Sequence, residues 1–351
     1  MRGLFIVCAL TLCLPALAVN PAPGAENTAP SRQQTAPPTD ARELLDTLLR
    51  ADRVEVEQQD EAKSLFEQGA AREPGDGRWS AGLALIARVQ GDGEAAMSHG
   101  RDAVRLSPED ADAHYQLGSA LFAGLRGASM LKAASLSREG REAYERAVEL
   151  DPEHERAHFS LMMYYAFAPR IAGGNPLRAF EHAELLLAMP DGVYFGHIGH
   201  ALLAAKDEDW MLMRRHYDLA EEAARSDEER RQALLSHASN LMRQKGDHAA
   251  AIPLLERALV LAPEDAGLWR MLGDARREAK KCGDAVEAYR RSLAINNASG
   301  SAQFNIAKCL EDLGRNGDAL REYTVFVERF PDDAQVREAR RRIRALQPRR
   351  R

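Results

Sequence analysis

The sequence predicts an all-α fold: a right-handed superhelical solenoid of about eight helix-turn-helix repeats, closed by a C-terminal capping helix. The first observation is a period. Pro74 and Pro108, and later Pro263, Asn297 and Pro331, stand 34 residues apart, and self-similarity at such a period marks stacked helix pairs. The second is what recurs between those positions. Trp269, Leu272-Gly273, Ala285, Tyr289 and Ser292 in one unit, then Phe304, Ile306-Ala307, Gly314, Ala319 and Tyr323 in the next, set small residues where paired helices touch and large ones where they wedge. The third is composition: 351 residues with only 6% aromatics and 28% charged residues, and no β-rich stretch, suit stacked helices.

Taken in order, Arg2, the apolar run Leu4 to Leu14 and Pro15-Ala16-Leu17-Ala18 read as a signal peptide over 1–18, cleaved near Ala18. A run of about 11 residues falls short of the ~20 that span a bilayer. The expected location is therefore an exported compartment, a bacterial periplasm. Residues 19–39, rich in Pro, Ala, Thr and Gln, read as a disordered leader. Asp40 and Glu43 form a capping-box pattern before Leu44, Leu45, Leu48 and Leu49, so the solenoid is placed over 40–333. Ala62, Phe66 and Gly69 complete the first unit, and Leu83, Gly91, Ala96 and Ala103 the second.

Two units exceed the period. Pro108 to Pro152 is 44 residues, with the surplus read as an enlarged turn near 124–140, and Pro152 to Pro190 is 38, with its surplus near 169–176. Insertions on one edge of a solenoid often mark its binding side. The fifth unit is degenerate, with Tyr194, Ile198, Leu202, Trp210, Tyr217 and Ala220. The sixth returns to register with Gly246, Ala251, Leu255, Ala258 and Pro263, and Pro253 is read near its second helix's start, where a missing donor costs least. Residues 334–351 read as a capping helix and tail. They hold eight arginines and one glutamate; without them and Arg2 the formal charge falls from −6 to about −14.

The paired small and large residues and their period resemble the tetratricopeptide repeat superfamily. That resemblance implies a protein-binding scaffold without catalysis or cofactor, whose concave wall comes from set positions of each first helix. Carried onto this register, those positions in the third and fourth units are Tyr115, Phe122, Phe159, Met163 and Phe167, an aromatic and methionine set suited to a polypeptide partner. The superfamily's carboxylate clamp is not matched: the corresponding positions of the last three units hold Ser236, Asn240, Met271, Ser301 and Asn305. The later groove is instead mixed in charge, with Arg270, Asp274, Arg277, Glu278, Lys308, Glu311 and Asp312.

No phosphate loop, Gly-x-Ser-x-Gly elbow or His-Glu-x-x-His helix is present. Two alternatives to a groove-binding scaffold remain. His154 with His158 and His197 with His200 have helical spacing that suits metal ligands, though neither pair shows a third ligand. The C-terminal arginines suit an anionic envelope surface; the acidic body opposes nucleic acid. Beyond the signal only Cys282 and Cys309 remain, either joined in an oxidising compartment or idle as buried thiols.

Overall fold

The computed structural model describes residues 41–51, 54 and 58–347. The signal-peptide and leader readings, Asp40 of the capping box and Arg349 to Arg351 lie outside them. The described residues contain seventeen α-helices and no strand, which is eight helix pairs and one terminal helix. They divide into two compact units, 41–203 and 204–347.

The first unit holds α1 (Ala41–Ala51), α2 (Gln59–Arg72), α3 (Gly77–Val89), α4 (Gly93–Leu106), α5 (Ala111–Ala123), α6 (Met130–Leu150), α7 (Glu155–Phe167), α8 (Pro176–Ala188) and most of α9 (Val193–Lys206). Their starts are written in the sequence. Asp76, Asp92, Asp110, Ser129 and Asn175 each accept a hydrogen bond from a backbone N–H in the first turn they precede, satisfying donors that a helix otherwise leaves unpaired. His154 does the same for α7 through Nδ1. From α1 to α8 each helix packs on the next, and α3 also packs on α5, while Gly196 and Gly199 of α9 lie against Leu187 and Ala183 of α8, so the core is a continuous seam between neighbours rather than a central cluster.

The third repeat differs from its sequence reading. The enlarged turn expected near 124–140 is only 124–129, and the surplus goes into α6, which has 21 residues where α4 has 14. Ser129 caps it, and Met130 to Glu139 contain neither Gly nor Pro to stop a helix. In the fourth repeat the surplus is a true turn, with a 3-10 segment Arg170–Ala172, Gly173 at φ 94° and Asn175 N–H donating to Tyr165 O at 2.9 Å.

The second unit holds α10 (Trp210–Ala223), α11 (Asp227–Asn240), a π-helical segment Leu241–Lys245, α12 (His248–Leu261), α13 (Ala266–Glu278), α14 (Cys282–Ile295), α15 (Gly300–Asp312), α16 (Asn316–Arg329) and α17 (Val336–Leu346). Pro253 is the sixth residue of α12, deeper than its sequence reading placed it, so the Ala249 carbonyl loses its helical partner. The cap α17 buries Val336 and Ala339 in the core of the last two repeats, with Ile343 and Leu346 packed against it.

One turn position recurs three times at the 34-residue interval: Gly246 (φ 69°), Lys280 (φ 64°) and Gly314 (φ 73°). A side chain with a Cβ is strained there by roughly 1–2 kcal/mol. Lys280→Gly is therefore expected to raise unfolding free energy by about 1 kcal/mol in urea titration, after the extra freedom of glycine in the unfolded chain is deducted.

Candidate functional site

The first helices of the third and fourth repeats, α5 and α7, are buried around their whole circumference, with Tyr115 to Phe122 and Ala157 to Ala166 buried without interruption. Of the five expected groove residues, Tyr115, Phe122, Phe159 and Met163 are 5%, 6%, 8% and 5% exposed, and only Phe167 is half-buried. An open apolar wall is thus replaced by ring packing. The Phe122 ring stacks on Tyr144 of α6, with centroids 5.4 Å apart, and Tyr115 meets Tyr144 at 5.7 Å and His154 at 5.0 Å. Phe159 meets Phe195 of α9 at 5.2 Å, and the Arg156 guanidinium lies over that ring.

Two glycines make this approach possible. A Cβ on Gly118 of α5 would stand 2.6 Å from the Tyr144 ring, and one on Gly140 of α6 would stand 2.7 Å from the Phe122 ring. The same lock closes the seventh repeat, where a Cβ on Gly273 would stand 2.6 Å from the Tyr289 ring.

The histidines do not converge on one point. His158 Nε2 donates to the Pro152 carbonyl, a group that can only accept, so its Nδ1 takes the proton of His182 Nδ1 at 3.0 Å. His154 Nε2 is 3.3 Å from Asp112, and His200 Nε2 is 2.8 Å from Glu184. Among the described residues no group of three or more His, Cys, Asp or Glu side chains is placed to hold a metal. Burial holds His158 and His182 below the ordinary imidazole range, the latter at about 4.

His182 belongs to a polar cluster that sequence spacing did not reveal. Its ring stacks on Tyr165, whose hydroxyl donates to Glu145 Oε1; Arg178 donates to that hydroxyl at 2.6 Å and covers the same ring. Burial, then the Glu145 hydrogen bond, pushes Tyr165 up to about 12. A phenol held protonated and imidazoles held neutral supply polar packing between α6, α7 and α8.

The second unit presents a different first-helix face. Arg270, Met271, Asp274 and Arg277 of α13 and Asn305 and Lys308 of α15 are all half-buried. Asp274 is its hub: Oδ1 accepts from Tyr289 Oη at 2.7 Å and from Asn305 Nδ2 at 3.2 Å, and Oδ2 accepts from Arg270 at 3.0 Å. Glu311 likewise accepts from Tyr323 and from Arg342 of the cap. Of this set the sequence reading had marked the charged residues but not their common anchor in Tyr289 and Tyr323. Cys282 and Cys309 are both free thiols in the adjoining core. Burial first, and the neighbouring Cys282 next, push Cys309 up to about 12.

A family model described as tetratricopeptide repeat matches residues 52–111, 235–300 and 270–334. No curated protein matches the chain. Among solved structures, the chain is similar to one in the hetero-tetramer of Cut9 and Hcn1 from the APC/C, at TM-score 0.52 and 15% identity over 88% of this chain; this chain spans only 55% of that one. It is also similar to a tetratricopeptide repeat protein from Parabacteroides merdae, at TM-score 0.42 and 12% identity over 87% of this chain and 97% of the other. YrrB, described as a TPR protein with an unusual peptide-binding site, aligns at TM-score 0.37 and 13% identity over 69% of this chain and 97% of its own. The chain thus carries tetratricopeptide repeats over residues 52–111 and 235–334, within an array of eight helix pairs among the described residues.

Proposed function

We propose that this protein is a non-catalytic scaffold of an exported compartment, a bacterial periplasm, that binds a polypeptide along its first helices. The observation that carries the reading is the half-buried polar row of Arg270, Asp274, Asn305 and Lys308. Arg270, Asp274 and Asn305 are held by one another and by Tyr289 before any partner arrives, which lowers the ordering cost of binding, and Lys308 stands beside them as a half-buried cation. Charged groups so arranged select a partner and set its register more than they add strength. In the first unit Phe167 is the reachable member of the expected aromatic set, with Tyr115, Phe122, Phe159 and Met163 forming the packed wall behind it. The apolar side of α17 is spent on the core, so the C-terminal arginines offer charge alone to an envelope surface.

The test is a crosslinking pull-down from the envelope fraction with the parent chain, an Arg270→Ala/Lys308→Glu double variant and Phe167→Asp, each checked by circular dichroism. A polypeptide partner recovered at least roughly tenfold less with the double variant is the expected result, since the loss of a matched charge pair costs a kcal/mol or more. Unchanged recovery with both variants overturns the reading.

A further inference from the structure

The two repeats that exceed the period put their surplus at the same end of adjacent helix pairs. The C-terminal end of α5 and the N-terminal end of α6 meet the C-terminal end of α7 there, because the Phe122 ring lies 6.0 Å from Tyr164 and Tyr164 Oη donates to the Ala172 carbonyl of the fourth-repeat turn. Past this joint α6 runs seven residues longer than α4, two turns or about 10 Å at 1.5 Å per residue.

What the surplus carries is unusual. Met130, Leu131, Ile171 and Leu177 are 82%, 86%, 99% and 75% exposed. Single exposed apolar residues need no explanation, but four on one edge mark a contact surface. The charges around them have one sign. Residues 124–138 and 168–178 contain Arg126, Lys132, Arg138, Arg170 and Arg178 and no Asp or Glu, in a chain whose formal charge is −6. Arg178 is engaged with Tyr165 and Glu145. Arg126, Lys132, Arg138 and Arg170 are exposed and are not ion-paired among the described residues.

We infer that this edge docks on an anionic lipid bilayer, with Met130, Leu131, Ile171 and Leu177 entering the headgroup and acyl boundary and the four free cations meeting lipid phosphates. Apolar tips ringed by Lys and Arg are what interfacial binding rewards, through buried apolar area and attraction to negative headgroups together. A protein partner would be expected to call for some charge of each sign to set its register; here the complement is uniformly negative. The contact is peripheral, since no described helix is long and apolar enough to cross a membrane.

The test is vesicle flotation of the chain from Val19 onward, after its circular-dichroism melt is shown to match that of the full chain. Phosphatidylcholine vesicles containing about 30% phosphatidylglycerol are compared with pure phosphatidylcholine. The expected result is flotation on the anionic vesicles that falls roughly tenfold in Met130→Ser/Leu131→Ser/Ile171→Ser/Leu177→Ser and falls likewise in Lys132→Glu/Arg170→Glu, with melts unchanged because all six side chains are exposed. The inference is overturned if the parent does not float, if the serine variant floats as the parent does, or if flotation is lost instead with Arg340→Ala/Arg344→Ala on α17. It is overturned equally if the edge variants lose a crosslinked protein while vesicles are ignored.

Discussion

Replacing Tyr289 with alanine is expected to cost about 3–5 kcal/mol, the range for emptying a large buried ring site, and to unfold the last repeats first in urea. Tyr289 is fully buried, and its ring fills the space that Gly273 leaves open on the facing helix. Ala285 and Ala288 of the same helix are buried too, and a methyl group is too short to fill a ring site. The hydroxyl adds a second loss, since it is one of the donors to Asp274. Tyr289→Phe separates the two contributions. It keeps the ring, and Asp274 keeps Arg270 and Asn305, so its cost is expected near 1 kcal/mol. Equal losses in the two variants would show that the hydroxyl, not the ring, holds the repeat. In a stacked array each pair leans on its neighbours, so the alanine variant is also expected to broaden the transition.

The second large effect is acid destabilisation. Burial first, with Arg214 and Arg257 acting in the same sense and Asp218 opposing, holds His237 at about 4 in the folded chain, against an ordinary 6.5. His182 stands at about 4 for a similar reason, with His158 and Arg178 adding to burial and Glu145 opposing it. Both imidazoles are thus neutral when folded at pH values where the unfolded chain is protonated. Stability is complete above about pH 6.5 and falls as the pH drops toward 4, because there the unfolded state binds more protons. Each site is worth at most about 3 kcal/mol across that window. His158 Nδ1 accepts the His182 Nδ1–H, so the two rings titrate together and that pair counts once. His237→Phe keeps the stack on Tyr217, whose ring lies 4.8 Å away, and removes the titration. Its urea midpoint should move less between pH 7 and pH 4.5 than that of the parent. An identical shift in parent and variant would remove His237 as a cause.

The repeats were legible because their contacts repeat. Gly273 and Tyr289 lie within one period, and the next unit restates them as Ala307 and Tyr323, so each unit vouches for the other's register. The candidate site was less so. Phe122 was assigned an outward role from its helix position, but its direction depends on the Tyr144 ring and on Gly140, which the lengthened α6 brings into place. Whether a surplus becomes loop or helix was likewise hidden, since it turned on Ser129 capping a run that lacks a breaker. The bond between His158 and His182 crosses two helices at a separation that no period announces. Asp274 was visible as a charge, but its three donors come from three different places in the chain.

The caps Asp265 and Ser299 are one period apart and perform the same task for α13 and α15. Excising residues 265–298 would set Ser299 directly after Glu264, with a capped first helix following α12 as before. Over these last regular repeats length is therefore counted in whole modules of one period, each entered through the same kind of cap.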